Sequence, residues 1–265
     1  MEFLRFGFMQ RALLEGAMIG VLCALLGVFV VLRNLSFVSA GISHAAFGGV
    51  ALGYLLGINV VMTAMVFCVL VGISVSIITQ KSILKEDTVV GILYASTMAL
   101  GVFFMSFTKG YSVDLFSYLF GSILAVTQFD LIVTAWVGSI ATFLVLFFFK
   151  ELTVTTLDPE TAKASGIPAE AFHYLFTALV ALVIVVSIRV VGIILVSALL
   201  VLPAATALRI ARTMKGVTFL ALTVSLISSL GGLILSYFLN TPSGATIVLL
   251  GAGIFGGSFL FHFPR

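Results

Sequence analysis

Charge is what this sequence has least of. Thirteen Lys and Arg with ten Asp and Glu make up 9% of its 265 residues, against about 25% in a soluble domain. With 62% hydrophobic residues and a mean hydropathy of +1.31, the chain needs lipid as its solvent. That excludes a sizeable water-soluble domain. The net charge of +3 is small and its basic residues are scattered. No basic stripe interleaved with aromatics exists, so nucleic acid is excluded as a partner. Cysteine is also scarce. Cys23 and Cys68 lie deep in apolar runs, with no second Cys or His at metal-ligand spacing, and read as small buried hydrophobes. No signal peptide is expected, because Glu2, Arg5, Arg11 and Glu15 charge the N-terminus and no small-x-small cleavage site follows. No G-x-x-x-x-G-K-[ST] phosphate loop is present: Lys81-Ser82 and Lys109-Gly110 have the wrong glycines around them. If the chain moves a solute uphill on ATP, another chain must hydrolyse it. The histidines His44, His173 and His262 stand apart, and no acid–base pair accompanies them. That speaks against a membrane-embedded enzyme, which needs such groups within reach of each other.

What is there is a series of long apolar runs. A spanning helix takes about 20 apolar residues. The runs and their breaks predict nine spans, near 12–32, 36–56, 60–80, 88–108, 128–149, 171–190, 192–208, 217–238 and 244–262. Residues 110–127 are too polar to span and predict a short re-entrant or interfacial helix. The fold class is therefore all-α: one polytopic integral membrane bundle of 8–9 transmembrane helices, a single domain over 1–265. Lys and Arg concentrate on the cytoplasmic side. With the C-terminus inside, Arg33, Lys81, Lys85, Lys150, Lys163, Arg209, Arg212, Lys215 and Arg265 fall inside, and Arg5, Arg11, Lys109 and Arg189 outside. The N-terminus is then outside. An N-terminal segment lying along the membrane surface reconciles Arg5 and Arg11 with that topology.

Gly49, Gly53 and Gly57 repeat every fourth residue in the second span, and Gly253 and Gly257 do so in the last. Such spacing puts a flat face on a helix and lets backbones approach. The second span is then interior, and so is His44. Ionisable groups in a membrane face a cavity or a partner. His44 is either a ligand on a path through the bundle, since neutral imidazole binds transition metals, or a histidine satisfied by a neighbouring helix. Ser39 and Ser43 flank it and could supply hydrogen bonds. Glu15, near the outer end of span one, either meets water or lines an entry path. Asp114 and Asp130 fall outside and read as solvated. Pro203 removes a backbone hydrogen bond from span seven and should kink it.

The stretch DPETAKASGIP at 158–168 carries helix punctuation. Asp158 suits an N-cap, Pro159 the first helical position, Gly166 the C-terminal cap, and Pro168 stops continuation. Between them lie Glu160, Ala162, Lys163, Ala164 and Ser165. This predicts a helix of about seven residues, roughly 10 Å long. A short capped helix on the cytoplasmic face suits docking into a groove on a soluble partner; the alternative is an ordinary surface loop.

Four stretches in order, ISHAAFGGVALG at 42–53, KEDTVVGILYASTMALGV at 85–102, DLFSYLFGSILAV at 114–126, and 158–207 from DPETAKASGIPAEAFHYLF to VGIILVSALLVLPAATA, resemble the permease subunits of ATP-binding-cassette importers for divalent metals, the zinc and manganese uptake family. The A-K-A-S-G-I segment is also similar to the permeases for vitamin B12 and siderophores. The resemblance implies a homodimer of the permease, two cytoplasmic ATPase subunits that use the ATP, and an extracytoplasmic metal-binding protein, all at the cytoplasmic (inner or plasma) membrane of a prokaryote. No cofactor is permanently bound, and the divalent metal is cargo. The helix at 158–168 would be the coupling helix that inserts into each ATPase, through Asp158, Pro159, Glu160, Ala162, Lys163, Ala164, Ser165 and Gly166. His44, Ser43, Ser39 and Glu15 would line the metal pathway. Gly49, Gly53, Gly57 and Pro203 would serve packing and hinging.

One departure stands out. The family commonly has Asp one turn before this His, giving D-x-x-x-H on one face, and here that position is Ala40. A nitrogen ligand without a carboxylate leans towards zinc over manganese, as does the HAAFGG context. Zinc is therefore the expected cargo, with manganese next. The alternatives are a siderophore or vitamin B12 permease, which the compact chain disfavours, a membrane-embedded enzyme, and a passive channel, for which no carbonyl filter or carboxylate ring is visible.

Overall fold

Apolar runs interrupted at Asn34, Gly57, Gly166, Gly192 and Asn240 fold into helices that end at those residues, each of which has positive φ. The computed structural model describes residues 7–107, 115–122 and 126–260, and all their side chains except those of 115–117 and Arg189. Among the described residues there are twelve helices and no strand: α1 Gly7–Leu32, α2 Ser36–Leu56, α3 Val60–Lys81, α4 Glu86–Phe107, α5 Leu115–Phe120, α6 Gln128–Phe147, α7 Phe149–Leu157, α8 Pro159–Ala164, α9 Ala169–Val191, α10 Val196–Ile210, α11 Met214–Leu239 and α12 Ser243–Ser258. Seven of them, α1, α2, α3, α4, α6, α9 and α11, are long and apolar enough to cross a membrane, and α10 and α12 are shorter apolar helices of 15 and 16 residues.

The nine apolar helices alternate in direction. The ends of α1 and α3, the starts of α2, α4 and α9, and α7 and α8 meet around one cleft. The start of α1, the end of α11 and the start of α12 meet at the opposite end, with Gly121 and Ser122. Arg33, Lys81, Lys85, Lys150, Lys163, Arg209, Arg212 and Lys215 all lie at the first end. By the positive-inside rule that end is cytoplasmic. Arg11 lies at the other end, inside α1, where its Nε donates to Val126 O at 3.3 Å. No surface-lying segment is needed to explain it, because the helix already runs from Gly7. Arg5, Lys109, Asp114, His262 and Arg265 lie outside the described residues.

α1, α2 and α9 fill the centre. Phe29, Ile42, Phe176, Ile184 and Ile193 are fully buried there. α4 and α6 turn Phe103, Phe107, Trp136 and Phe143 outward, as lipid-facing helices do. Close approach of α2 to its neighbours comes from small residues. A Cβ on Gly49 would stand 2.7 Å from Ala64 Cα of α3, and one on Gly53 2.9 Å from Val60 Cα. Gly48 meets Thr97 O of α4 in the same way at 2.8 Å. Gly57 does not continue this face. It has φ 65°, touches nothing within 4 Å, and closes α2: its N–H donates to Tyr54 O and that of Ile58 to Gly53 O, the Schellman pattern. The four-residue repeat ran one glycine past the end of the helix. Gly253 and Gly257 likewise meet nothing within 4 Å, so the small face of α12 is open among the described residues.

α10 starts four residues later than the run at 192 predicts, because 192–195 is held by other backbone. Ile193 N donates to Tyr118 O and Ile194 N to Leu119 O, tying this link to the short helix α5. The expected short helix within 110–127 is thus α5, wedged between the end of α9 and the start of α12. α10 then runs unbroken through buried Pro203. Pro203 removes one ladder bond without ending the helix.

Candidate functional site

His44 sits half-buried on α2, and its ring meets Tyr94 of α4 edge-to-face, with centroids 4.9 Å apart and planes at 74°. Ala45 and Ala46 beside it are fully buried. Tyr94 is partly open, at 39% exposure, so the imidazole lies at the edge of the bundle core. Ala40, one turn earlier, adds no carboxylate. Among the described residues no group of three or more His, Cys, Asp or Glu could hold a metal ion. Chemically the arrangement offers one imidazole. Among the described residues no carboxylate, thiol or second imidazole joins it in a group of three.

Ser39 and Ser43 do not join it. Both are fully buried, and their hydroxyls donate to Ser36 O and Ser39 O at 2.8 Å on their own helix. Glu15 is also elsewhere. It is fully buried between α1 and α6, where Thr134 Oγ1 donates to its Oε1 at 3.4 Å. It does not meet water at the outer end, because α1 begins early enough to carry it inside. Asp130, expected to be solvated, is 4% exposed and closes a capping box. Thr127 N and Oγ1 donate to Asp130 Oδ2 at 3.0 and 2.7 Å, and Asp130 N donates to Thr127 Oγ1 at 3.2 Å. The spacing T-Q-F-D is the sequence signal for it. His173 pairs with Ser76 Oγ through Nε2 at 3.1 Å. Cys68 Sγ points to Ile42 O at 3.7 Å, and Cys23 lies 3.9 Å from Ser187 Oγ, both buried as expected.

At the cytoplasmic end α8 forms as its punctuation predicts. Asp158 caps it: Thr161 N donates to Oδ1 at 3.0 Å and Thr161 Oγ1 to Oδ2 at 2.6 Å. The Thr161 hydroxyl first, then its amide, hold the Asp158 carboxyl below its usual range. Pro159 occupies the first turn. Gly166, at φ 77°, ends the helix, with Gly166 N donating to Lys163 O and Ile167 N to Ala162 O. Ala162 is fully buried, while Pro159, Glu160, Lys163, Ala164, Ser165 and Gly166 are exposed. α8 therefore rests on the bundle by one small side chain and offers the rest to solvent.

Next to α8 lies a cleft of about 480 Å³. Its wall holds a residue that loop-charge counting treated as one positive charge among many. Arg33, in the turn between α1 and α2, donates Nε to Thr156 Oγ1 at 2.8 Å and Nη2 to Thr155 Oγ1 at 2.9 Å and Leu152 O at 3.4 Å. Its guanidinium lies over the Phe176 ring, 4.7 Å from the centroid. Burial lowers its pKa to about 10, so it stays charged at neutral pH. Nothing in the local sequence marks those partners, because they lie more than a hundred residues away.

The outer end is joined differently. A Cβ on Gly121 would overlap Val190 O, one on Gly192 would stand 2.5 Å from Gly121 N, and one on Gly244 would overlap Val191 O. Backbone of α5, of the α9–α10 link and of α12 meets directly. Ser243 Oγ adds a hydrogen bond to Val190 O at 2.7 Å.

The described residues form a polytopic α-helical bundle with a short capped helix, α8, at one end. The chain belongs to the ABC 3 transport family, which matches residues 5–262. It is a translocation component, not an enzyme. It is 40% identical over 254 residues to the manganese import system permease protein ScaB of Streptococcus gordonii, covering 96% of this chain and 91% of that one. Its fold matches that of PsaBC from Streptococcus pneumoniae, solved in complex with a Fab, with a TM-score of 0.90, 40% identity, and coverage of 99% of this chain and 95% of that one. A metal-chelate type ABC transporter solved in an inward-facing conformation shares the fold at a TM-score of 0.77 and 18% identity, over 95% of this chain and 85% of that one.

Proposed function

We propose that this chain is the permease subunit of an ATP-driven importer of divalent metal ions, with manganese as the first candidate cargo. The observation that carries the reading is the match to ScaB over nearly the whole of both chains, since that relative is named for manganese import. Zinc, the leaning of the sequence, is the second reading. It is favoured by one residue: Ala40 leaves His44 without a carboxylate on its face, and an all-nitrogen contact suits zinc better than manganese. Two copies form the pore in the cytoplasmic membrane of a prokaryote. Two ATPase subunits bind below, and a metal-binding protein delivers the ion from outside. His44 touches the ion in passing, weakly enough that it leaves again. α8 docks in the ATPase through its exposed face from Pro159 to Gly166, and the bundle switches between its two openings by rigid-body movement of packed helices.

The test is ATP-driven uptake into proteoliposomes that hold the permease with its ATPase and binding protein, with manganese and zinc offered separately and in competition. Uptake of manganese that zinc displaces poorly supports the first reading. The reverse order supports the second. Uptake of neither by a complex that hydrolyses ATP overturns both.

A further inference from the structure

The cleft beside α8 raises a mechanical question: how does movement of a helix held by one buried alanine reach His44, further along α2? The chain passes from α7 to α8 with only Asp158 between them. Any displacement of α8 is therefore delivered at once to the last turn of α7. That turn, at Thr155 and Thr156, with the Leu152 carbonyl one turn earlier, is what the Arg33 guanidinium grips. Arg33 in turn belongs to a stiff corner. Asn34 N donates to Val31 O and Leu35 N to Val30 O, and α2 starts at Ser36 without slack. His44 follows eight residues on, about 12 Å along the same helix. Beneath the guanidinium, Phe29 of α1 meets Phe149 of α7 and Phe176 of α9 edge-on, at 5.7 and 6.0 Å between centroids. The polar grip thus sits on a packed aromatic base.

We propose that Arg33 is the positioning residue that transmits the movement of α8 to α2. It does so by holding the last turn of α7 to the α1–α2 corner, so that the helix carrying His44 follows the coupling helix. The inference rests on the proposed docking of α8 to an ATPase. Arg suits the task because its planar fork makes several directed hydrogen bonds at once while stacking on a ring, and Lys offers only a point charge.

A clamp that serves stability alone would lower the amount of folded complex and leave its workings unchanged. The experiment therefore reads the ratio of metal imported to ATP hydrolysed in the reconstituted complex, for the unchanged chain, Arg33→Lys, Arg33→Gln, and Thr155→Val with Thr156→Val. A spin label on Phe37→Cys, at the exposed start of α2, and one on Leu157→Cys, at the end of α7 beside α8 and outside the docking face, report whether the two elements move together on ATP binding; Phe37 is 64% and Leu157 59% exposed, and the native Cys23 and Cys68 are buried. The expected result is ATP hydrolysis within about twofold of the unchanged complex and a fall of roughly tenfold in metal per ATP for Arg33→Gln, the size set by losing charge-assisted hydrogen bonds. Arg33→Lys falls between the two. In Arg33→Gln the Leu157→Cys label still shifts and the α2 label does not. If Arg33→Gln fails to assemble, the double threonine variant decides, since it keeps the charge and removes both hydroxyl acceptors. A normal ratio and linked labels in a folded variant overturn the inference. Failure of the unchanged complex to import any divalent metal overturns the function proposed above instead, and the linked movement of the labels still tests Arg33.

Discussion

The two ends of this bundle are fastened by different means. At the outer end, backbone lies on backbone: Gly121, Gly192 and Gly244 leave no room for a Cβ, and Ile193 and Ile194 donate to the carbonyls of α5. At the cytoplasmic end, long side chains reach across gaps. Arg33 grips α7, and Arg209 at the end of α10 stacks 3.6 Å over Phe259 and donates to Ser258 O at 3.3 Å. A backbone joint has no rotamers and cannot stretch. A side-chain joint ties two elements by a few directed bonds, so one draws the other along while those bonds last. The backbone joint sits away from α8, and the Arg33 joint sits beside it.

The largest break in that contrast should come at the outer joint. Gly192 has φ 88° and ψ 156°, a region open essentially to glycine alone. Gly192→Ala is expected to destabilise the chain by about 3 kcal/mol, combining backbone strain with overpacking. Thermal unfolding in detergent checks it, and an unchanged midpoint would show that the joint is looser than its contacts imply. Next comes His44→Ala, which should lower metal uptake by about tenfold, the scale of a lost contact at a metal site, while ATPase assembly stays intact. Normal uptake would make His44 a packing residue against Tyr94. Third is a matched pair in α2. Gly49→Ala drives a Cβ against Ala64 Cα and should cost about 2 kcal/mol, whereas Gly57→Ala strains only a left-handed cap and should cost about 1 kcal/mol. Equal costs would undo the distinction between a packing glycine and a capping one. The smallest effect concerns Asp158. Its carboxyl is held below its ordinary range by Thr161. A lowered carboxylate pKa means that its stabilisation is present above the unfolded value, near 4, and is lost as pH falls through the lower folded one. Amide exchange at Thr161 should therefore be flat from pH 5 to 8 after correction for intrinsic rate, and faster throughout in Asp158→Ala.

Local grammar was legible in the sequence, and long-range partners were not. Asp158, Pro159 and Gly166 announce α8 because a cap is made by residues within a few positions of each other. The spans are legible because lipid demands continuous apolar length. Gly57 misleads because a packing repeat and a C-cap share one residue type, and only φ separates them. Asp130 misleads for another reason: a carboxylate near a predicted span end reads as wet until a capping box is seen to receive it, while Glu15, open between water and an entry path, is received by a hydroxyl on another helix. Arg33 was visible only as charge. Its role depends on Leu152, Thr155 and Thr156, and no spacing in the sequence links them to it. Residues for the metal path show the same limit. His44 could be picked out, but Ser39 and Ser43 at neighbouring positions turn to their own helix carbonyls.

The outer glycine joint has a consequence for how the chain is made. Its members come from positions 121, 192 and 244, so the first waits through more than a hundred residues of synthesis before the last leaves the ribosome. Until then the Val190 carbonyl lacks the Ser243 hydroxyl, and α5 lacks the start of α12 beside it. A nascent or truncated chain that stops short of α12 therefore presents an unfinished outer seam. The arrival of α12, with Ser243 and Gly244 at its start, is what closes that seam.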